Sequence, residues 1–221
     1  MRRILCGLAT AAIATSLFPV AASAAPPADG TGRSASDVAT TRAQIARANS
    51  LPVVRDRKAG WTRSTAASGT SAVTNSSYGS YSYRKGVILA TSDAFKGLIP
   101  TGHAAIGYSS SQVVESVSSG VVRGANDWFR SKSQAYQTSV RSTTAAQDAA
   151  AADWADGQRG KPYNWNYLDR DTRKRFYCSQ LVWAAFKDKY GIDLDTSAYL
   201  WAVHPMELVN TSAVYLIYRK K

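Results

Sequence analysis

The sequence predicts a small α+β domain, and three observations carry that prediction. Four short runs between Gly86 and Arg123 have the apolar or alternating pattern of strands. Two longer stretches, Thr143–Arg159 and Cys178–Tyr190, carry alanine or larger apolar residues at helical spacing and stop at Gly160 and Gly191. A last strand-like run, Ala213–Tyr218, closes the chain. Strands, then helices, then one more strand suit a small antiparallel sheet packed on helices.

The elements follow in order. Residues 1–24 read as a secretory signal peptide: Arg2 and Arg3 precede an apolar stretch from Ile4 to about Val20, and Ala22-Ser23-Ala24 supplies small residues for cleavage. Cys6 precedes the apolar stretch, so it is not placed for lipid anchoring; an uncleaved anchor is the alternative reading. Residues 25–77 are rich in Ala, Ser, Thr, Gly and Arg, with Trp61 as their single aromatic residue, and read as a flexible tether. One short helix fits Ser36–Ser50, where Val38, Ile45 and Leu51 are sparse apolar points. The compact domain is expected over 78–221. Gly86–Ala90 reads as a buried strand, and His103–Tyr108, Gln112–Val117 and Gly120–Arg123 as strands separated by Ser- and Gly-containing turns. In the second helix Leu181, Val182, Ala185 and Phe186 form the apolar stripe.

Composition bounds the function. Of 221 residues, 45% are hydrophobic and 19% charged, enough for a packed core and too apolar for a disordered chain. Two cysteines exclude a disulfide-dense scaffold, and two histidines leave little scope for a metal site, so neither metal nor cofactor is expected. Signal cleavage removes Arg2, Arg3 and Cys6, taking the net charge from +12 to +10 and leaving one thiol, Cys178. A positive exported chain suits anionic envelope polymers. Nucleic acid is a poor fit, because the charge is scattered and no recognition motif appears. Beyond the signal segment no apolar run is long enough to span a bilayer.

A single thiol in an exported protein points to an intermolecular link or a reactive group. Cys178 sits where a basic loop (Arg173, Lys174, Arg175) gives way to the striped helix. There, unpaired backbone amides and the helix dipole favour thiolate. The competing reading is a small hydrophobe packed under the helix. Such a nucleophile needs a base. His204 lies in Val203-His204-Pro205 and reads as a loop or surface residue. His103 opens a strand and shares its face with the small Ala105 and Gly107, which leaves room for a partner. Glu115 falls between Val113 and Val117 on one strand face, a costly place for an unpaired carboxylate. With Ser109-Ser110-Ser111 as hairpin loop, Tyr108 faces Gln112 and Ala105 faces Glu115, which makes His103 and Glu115 diagonal neighbours on one face. Cys178, His103 and Glu115 then supply nucleophile, base and orienting group. Tyr177, beside the thiol, either helps hold the site or packs. Tyr163 and Trp165 belong to an aromatic-rich stretch that reads as core or pocket wall.

In this order the pieces resemble the permuted branch of the NlpC-type papain-like superfamily, the YaeF/YiiX-like amidases and peptidases. They are Gly86-Val87-Ile88, Gly102 to Gly107, Val114-Glu115-Ser116, Gly120-Val121-Val122, Gly160 to Trp165, Tyr177 to Trp183 and Val203 to Leu208. The resemblance spans about residues 84–217 and implies a permuted papain-like fold, in which the histidine precedes the cysteine. It assigns the nucleophile to Cys178, the base to His103 and the polar third position to Glu115, and makes the His204 segment a structural loop. Tyr177, Tyr163 and Trp165 then become candidate substrate-binding residues. The chain departs from the family pattern at Val87, where members often carry Asp, and at Gln180, where they often carry Glu. The expected function is an exported or periplasmic cysteine hydrolase cleaving amide bonds, with peptidoglycan peptides as the natural substrate. A cysteine-dependent acyltransferase or lipid hydrolase is the alternative within the same chemistry, and a non-catalytic envelope-binding module the alternative outside it.

Overall fold

The computed structural model describes residues 35–58, 78–93, 102–199 and 202–220. The expected signal segment lies outside them, as do residues 25–34 and 59–77 of the expected tether. The described chain forms α1 (Ala35–Ser50), β1 (Ile88–Thr91), β2 (His103–Gly107), β3 (Gln112–Val117), β4 (Gly120–Ala125), α2 (Trp128–Ser131), β5 (Ala135–Val140), α3 (Ala145–Asp156), α4 (Cys178–Tyr190), α5 (Glu207–Asn210) and β6 (Val214–Lys220). The strands make one sheet in the order β4-β3-β2-β1-β5-β6, with every neighbouring pair antiparallel. This is the expected α+β architecture. Among the described residues no helix is long and apolar enough to cross a membrane.

Helix α4 has the expected bounds. Its buried stripe of Leu181, Val182, Ala185 and Phe186 packs with Ala104 and Ile106 of β2 and Val114 of β3, which makes it the main cover of the sheet. Gly191 ends it in the left-handed conformation (φ 68°), which glycine adopts at no steric cost, and its amide reaches the Lys187 carbonyl at 2.8 Å. Helix α3 starts on a reciprocal cap: Thr144 Oγ1 accepts from the Gln147 amide, and Gln147 Oε1 accepts from the Thr144 amide.

The expected domain start at Tyr78 needs correction. Helix α1 belongs to the domain: Ala48 is fully buried beside Ala90, Tyr136, Met206, Val209 and Leu216. The last carbonyls of a helix lack partners within it. Here Arg219 Nη1 donates to the carbonyls of Ala48, Asn49 and Leu51 at 3.2, 2.7 and 3.0 Å. The following segment pairs with β6 through Val53 and Leu216, and Asp56 and Lys58 join a buried ionic cluster with Arg84 and Asp148. Scarce apolar residues suggested a tether, but this stretch is held by polar contacts to residues far away in sequence.

Strand β5 was not expected from the sequence. All six of its residues are buried, yet Gln137, Thr138 and Ser139 break any apolar pattern. Each has a partner: Gln137 bonds both the amide and the carbonyl of Ser82 (2.7 and 2.8 Å), Thr138 donates to the Leu208 carbonyl (3.0 Å), and Ser139 accepts from Arg84 (2.8 Å). Satisfied polar groups can be buried at little cost, and no local pattern reveals them.

Candidate active site

The β2–β3 hairpin has the register its loop predicts. Ala105 pairs with Glu115, Ile106 with Val114, and the Tyr108 amide bonds the Gln112 carbonyl at 2.9 Å. His103 and Glu115 are therefore diagonal neighbours, and His103 Nε2 lies 2.5 Å from Glu115 Oε2. The strand is entered through Gly102 at φ 95°, where a Cβ would come within 2.0 Å of the Thr91 carbonyl oxygen. Only glycine fits this approach, and it fixes where His103 begins.

Cys178 is the first residue of α4 and carries a free thiol. Its amide has no acceptor within the helix, by position. The sulfur hydrogen-bonds the His103 ring and accepts from the Ala104 amide. Glu115 occupies Nε2, so Nδ1 is the ring nitrogen left for the thiol. Both members are well covered, Cys178 at 5% exposure and His103 at 3%. The indole of Trp128 stacks on the imidazole (5.6 Å between centroids, 29° between planes) and shields the pair from water.

The electrostatics separate charge across this contact. Burial alone would pull His103 down, but the hydrogen bonds to Cys178 and Glu115, and then their charges, raise it to about 9. Burial alone would push the Cys178 thiol up. The His103 hydrogen bond and charge, followed by the Ala104 amide and Ser179 hydroxyl, hold it below the ordinary thiol value. The arrangement favours a thiolate–imidazolium pair, a nucleophile with a proton donor beside it.

The other singled-out residues divide. Tyr163 lies within the field of the thiol: burial, and next the Cys178 charge, raise its hydroxyl above the usual phenol range, so it stays protonated as a donor. Its hydroxyl lies 3.5 Å from that of Tyr167. Trp165 packs on the Tyr163 ring at 4.6 Å and is 55% exposed, on the outer side of the same loop. Tyr177 takes the holding role that its place beside the thiol also allowed. It is buried, and its hydroxyl accepts from the Val203 amide at 3.0 Å, so it ties the start of α4 to the loop that carries His204.

His204 is not a surface residue, as its Pro-bounded loop suggested. It is buried, stacks on Tyr199 (4.1 Å, 10°) and accepts from the Met206 amide through Nδ1. The same loop is held by Glu207, which sequence reading missed. Glu207 is fully buried and accepts from the amides of Thr196, Ala198 and His204 and from the Thr196 hydroxyl.

Gln180 has a structural task at the foot of the site. Its Oε1 accepts from the Tyr177 amide and Asn164 Nδ2, and its Nε2 donates to the carbonyls of Asp169, Arg170 and Thr172. A side-chain amide both accepts and donates, as this position requires and a carboxylate could not. Val87, at the other departure from the family pattern, is fully buried core. Trp128 was also missed; the one available signal was an aromatic directly after Asn126-Asp127 at the exit from β4. Among the described residues no three His, Cys, Asp or Glu side chains gather as a metal-binding group.

Comparison with known proteins gives three findings. A family described as permuted papain-like amidase enzymes, YaeF/YiiX, matches residues 86–208, which include His103, Glu115 and Cys178. The uncharacterised protein YycO of Bacillus subtilis is 34% identical over 116 residues, covering 50% of this chain and 46% of YycO. The chain thus matches about half the length of that relative. The crystal structure of the metalloprotein YiiX from Escherichia coli has a TM-score of 0.49 and 14% identity, covering 62% of this chain and 97% of YiiX.

Proposed function

Because the chain belongs to the permuted papain-like amidase family of the YaeF/YiiX type, a family of cysteine hydrolases, we propose that it is itself an exported cysteine hydrolase that cleaves amide bonds in peptidoglycan peptides. The hydrogen-bonded Cys178–His103–Glu115 array carries the reading. Cys178 thiolate attacks the amide carbonyl carbon, and a carbon–sulfur bond forms. His103 passes its proton to the leaving nitrogen as the carbon–nitrogen bond breaks, which leaves a thioester and a free amine. Water then attacks the thioester, His103 takes its proton, and the carboxylate product leaves with the thiolate restored. Glu115 holds the imidazole and stabilises its charged form. The Cys178 amide, with the Tyr163 hydroxyl nearby, suits the oxyanion. Trp165 offers an exposed ring for the substrate, and Tyr163 lines the inner side.

The substrate and location rest on the N-terminal signal pattern and the net charge of +10 that remains after its removal, which suits anionic wall polymers. Digestion of purified peptidoglycan with the parent protein and with Cys178→Ala tests them. New amine termini should appear with the parent alone. The alternative, transfer or hydrolysis of a lipid acyl group, draws on the exposure of Trp165 (55%) and Leu168 (73%) in one loop, a surface suited to an apolar chain. A stable acyl-thioester formed from lipid, with no new peptide amines, would favour it.

The pH profile has a definite sign. The imidazolium, with its pKa raised to about 9, is present below that pH and lost above it. The thiolate, with its pKa lowered, is lost only as pH falls below the ordinary thiol range. Hydrolysis should therefore hold through neutral pH and decline as pH rises through about 9. Initial rates across a buffer series check this; a rate still climbing there contradicts it.

A further inference from the structure

Glu115 touches β4 as well as His103. Its strand neighbour there is Val122, with Gly124 one step along the same face. A Cβ built on Gly124 would lie 1.8 Å from Glu115 Oε1 and 2.8 Å from its Cδ, closer than atoms can stand. The backbone does not ask for glycine here, because Gly124 lacks the positive φ of Gly102 or Gly120. Glycine is also a poor strand former and usually marks a close approach. We infer that Gly124 is a positioning residue: its missing side chain is the seat for the Glu115 carboxylate, and filling that seat drives the carboxylate off His103. This rests on the reading of Cys178 and His103 as nucleophile and base.

The obstacle is the mobile end of a side chain, so Gly124→Ala should fold and displace Glu115 rather than the strand. The test uses iodoacetamide at pH 6 on the full chain, with modification of Cys178 followed by peptide mass spectrometry. Gly124→Ala is expected to slow alkylation about tenfold, the effect of one pKa unit on the thiolate fraction. Glu115→Ala should slow it similarly, and the Glu115→Ala/Gly124→Ala double variant should be no slower than Glu115→Ala alone. Thermal midpoints should follow the same logic, with the added methyl group lowering the midpoint beside Glu115 and not beside Ala. A Gly124→Ala protein that unfolds while the double variant folds supports the same contest for space. Parent-like alkylation in Gly124→Ala, an additive loss in the double variant, or failure of both to fold overturns the inference. If parent and His103→Ala react equally, the nucleophile–base reading fails first, and the inference fails with it.

Discussion

Cys178→Ala is expected to abolish amide hydrolysis, lowering kcat/KM by at least about a thousandfold while the fold persists. The thiol supplies the one atom that bonds to the carbonyl carbon, and alanine leaves nothing in its place. What remains is the amide at the start of α4 and the His103–Glu115 pair, enough to polarise a carbonyl and not to form a thioester. Cys178→Ser separates bonding from chemistry. A hydroxyl keeps a hydrogen bond to His103 but has far too high a pKa to exist as an anion beside it, so the serine variant should be nearly as inactive. Both variants should unfold within a few degrees of the parent. Steady-state hydrolysis and thermal melts check the two halves of this expectation, and retained hydrolysis by the alanine variant would remove Cys178 from the reaction.

Asp148→Ala should produce the largest loss of stability, about 3–5 kcal/mol, because it strands buried cations. Asp148 has no exposed side-chain surface, and its Oδ2 accepts from Lys58 Nζ at 2.6 Å and Arg84 Nη1 at 2.7 Å. Oδ1 is bonded by the Thr143 hydroxyl. Burial already pulls the Lys58 pKa down, and without Asp148 this ammonium keeps the neutral Thr143 hydroxyl at 2.9 Å in place of a carboxylate. Arg84 keeps Asp56 at 2.7 Å and Ser139 at 2.8 Å, which limits the damage on its side. For a chain of this size the loss amounts to on the order of 10 °C in Tm. Melting of Asp148→Ala against the parent measures it, and an unchanged midpoint would show that the cluster is dispensable. The effect should extend to the site, since Arg84 also holds β5, which flanks β1, and β1 pairs with β2 at His103.

The parts of this molecule that were legible in sequence are those whose cause is local. The stripe on α4, the glycine that ends it, and the thiol at its start lie within fourteen residues. The His103–Glu115 contact followed from one hairpin loop and the two-residue period of strands. The parts that were not legible depend on partners far off in the chain. Helix α1 has few apolar residues and is held by Arg219, some 170 positions away. Strand β5 buries Gln137 and Ser139 because Ser82 and Arg84 meet them. Trp128 reaches His103 from a single helical turn too short to show periodicity. His204 looked exposed because the proline after it sets a loop, and Tyr199 and the buried Glu207 carboxylate explain why it is not. Within the site, local reasoning found the groups proposed to carry the chemistry, with Glu115 and Tyr177 beside them, and missed Trp128 and Glu207.

Whether Cys178 forms a thioester can be read by mixing the protein with p-nitrophenyl acetate and quenching in acid. This small activated acyl donor needs no specificity pocket. A burst approaching one equivalent of nitrophenolate per chain is expected, with the acetyl group on the peptide that contains Cys178, and neither signal in Cys178→Ala. A burst that survives in Cys178→Ala, or an acetyl group on any other residue, would contradict it.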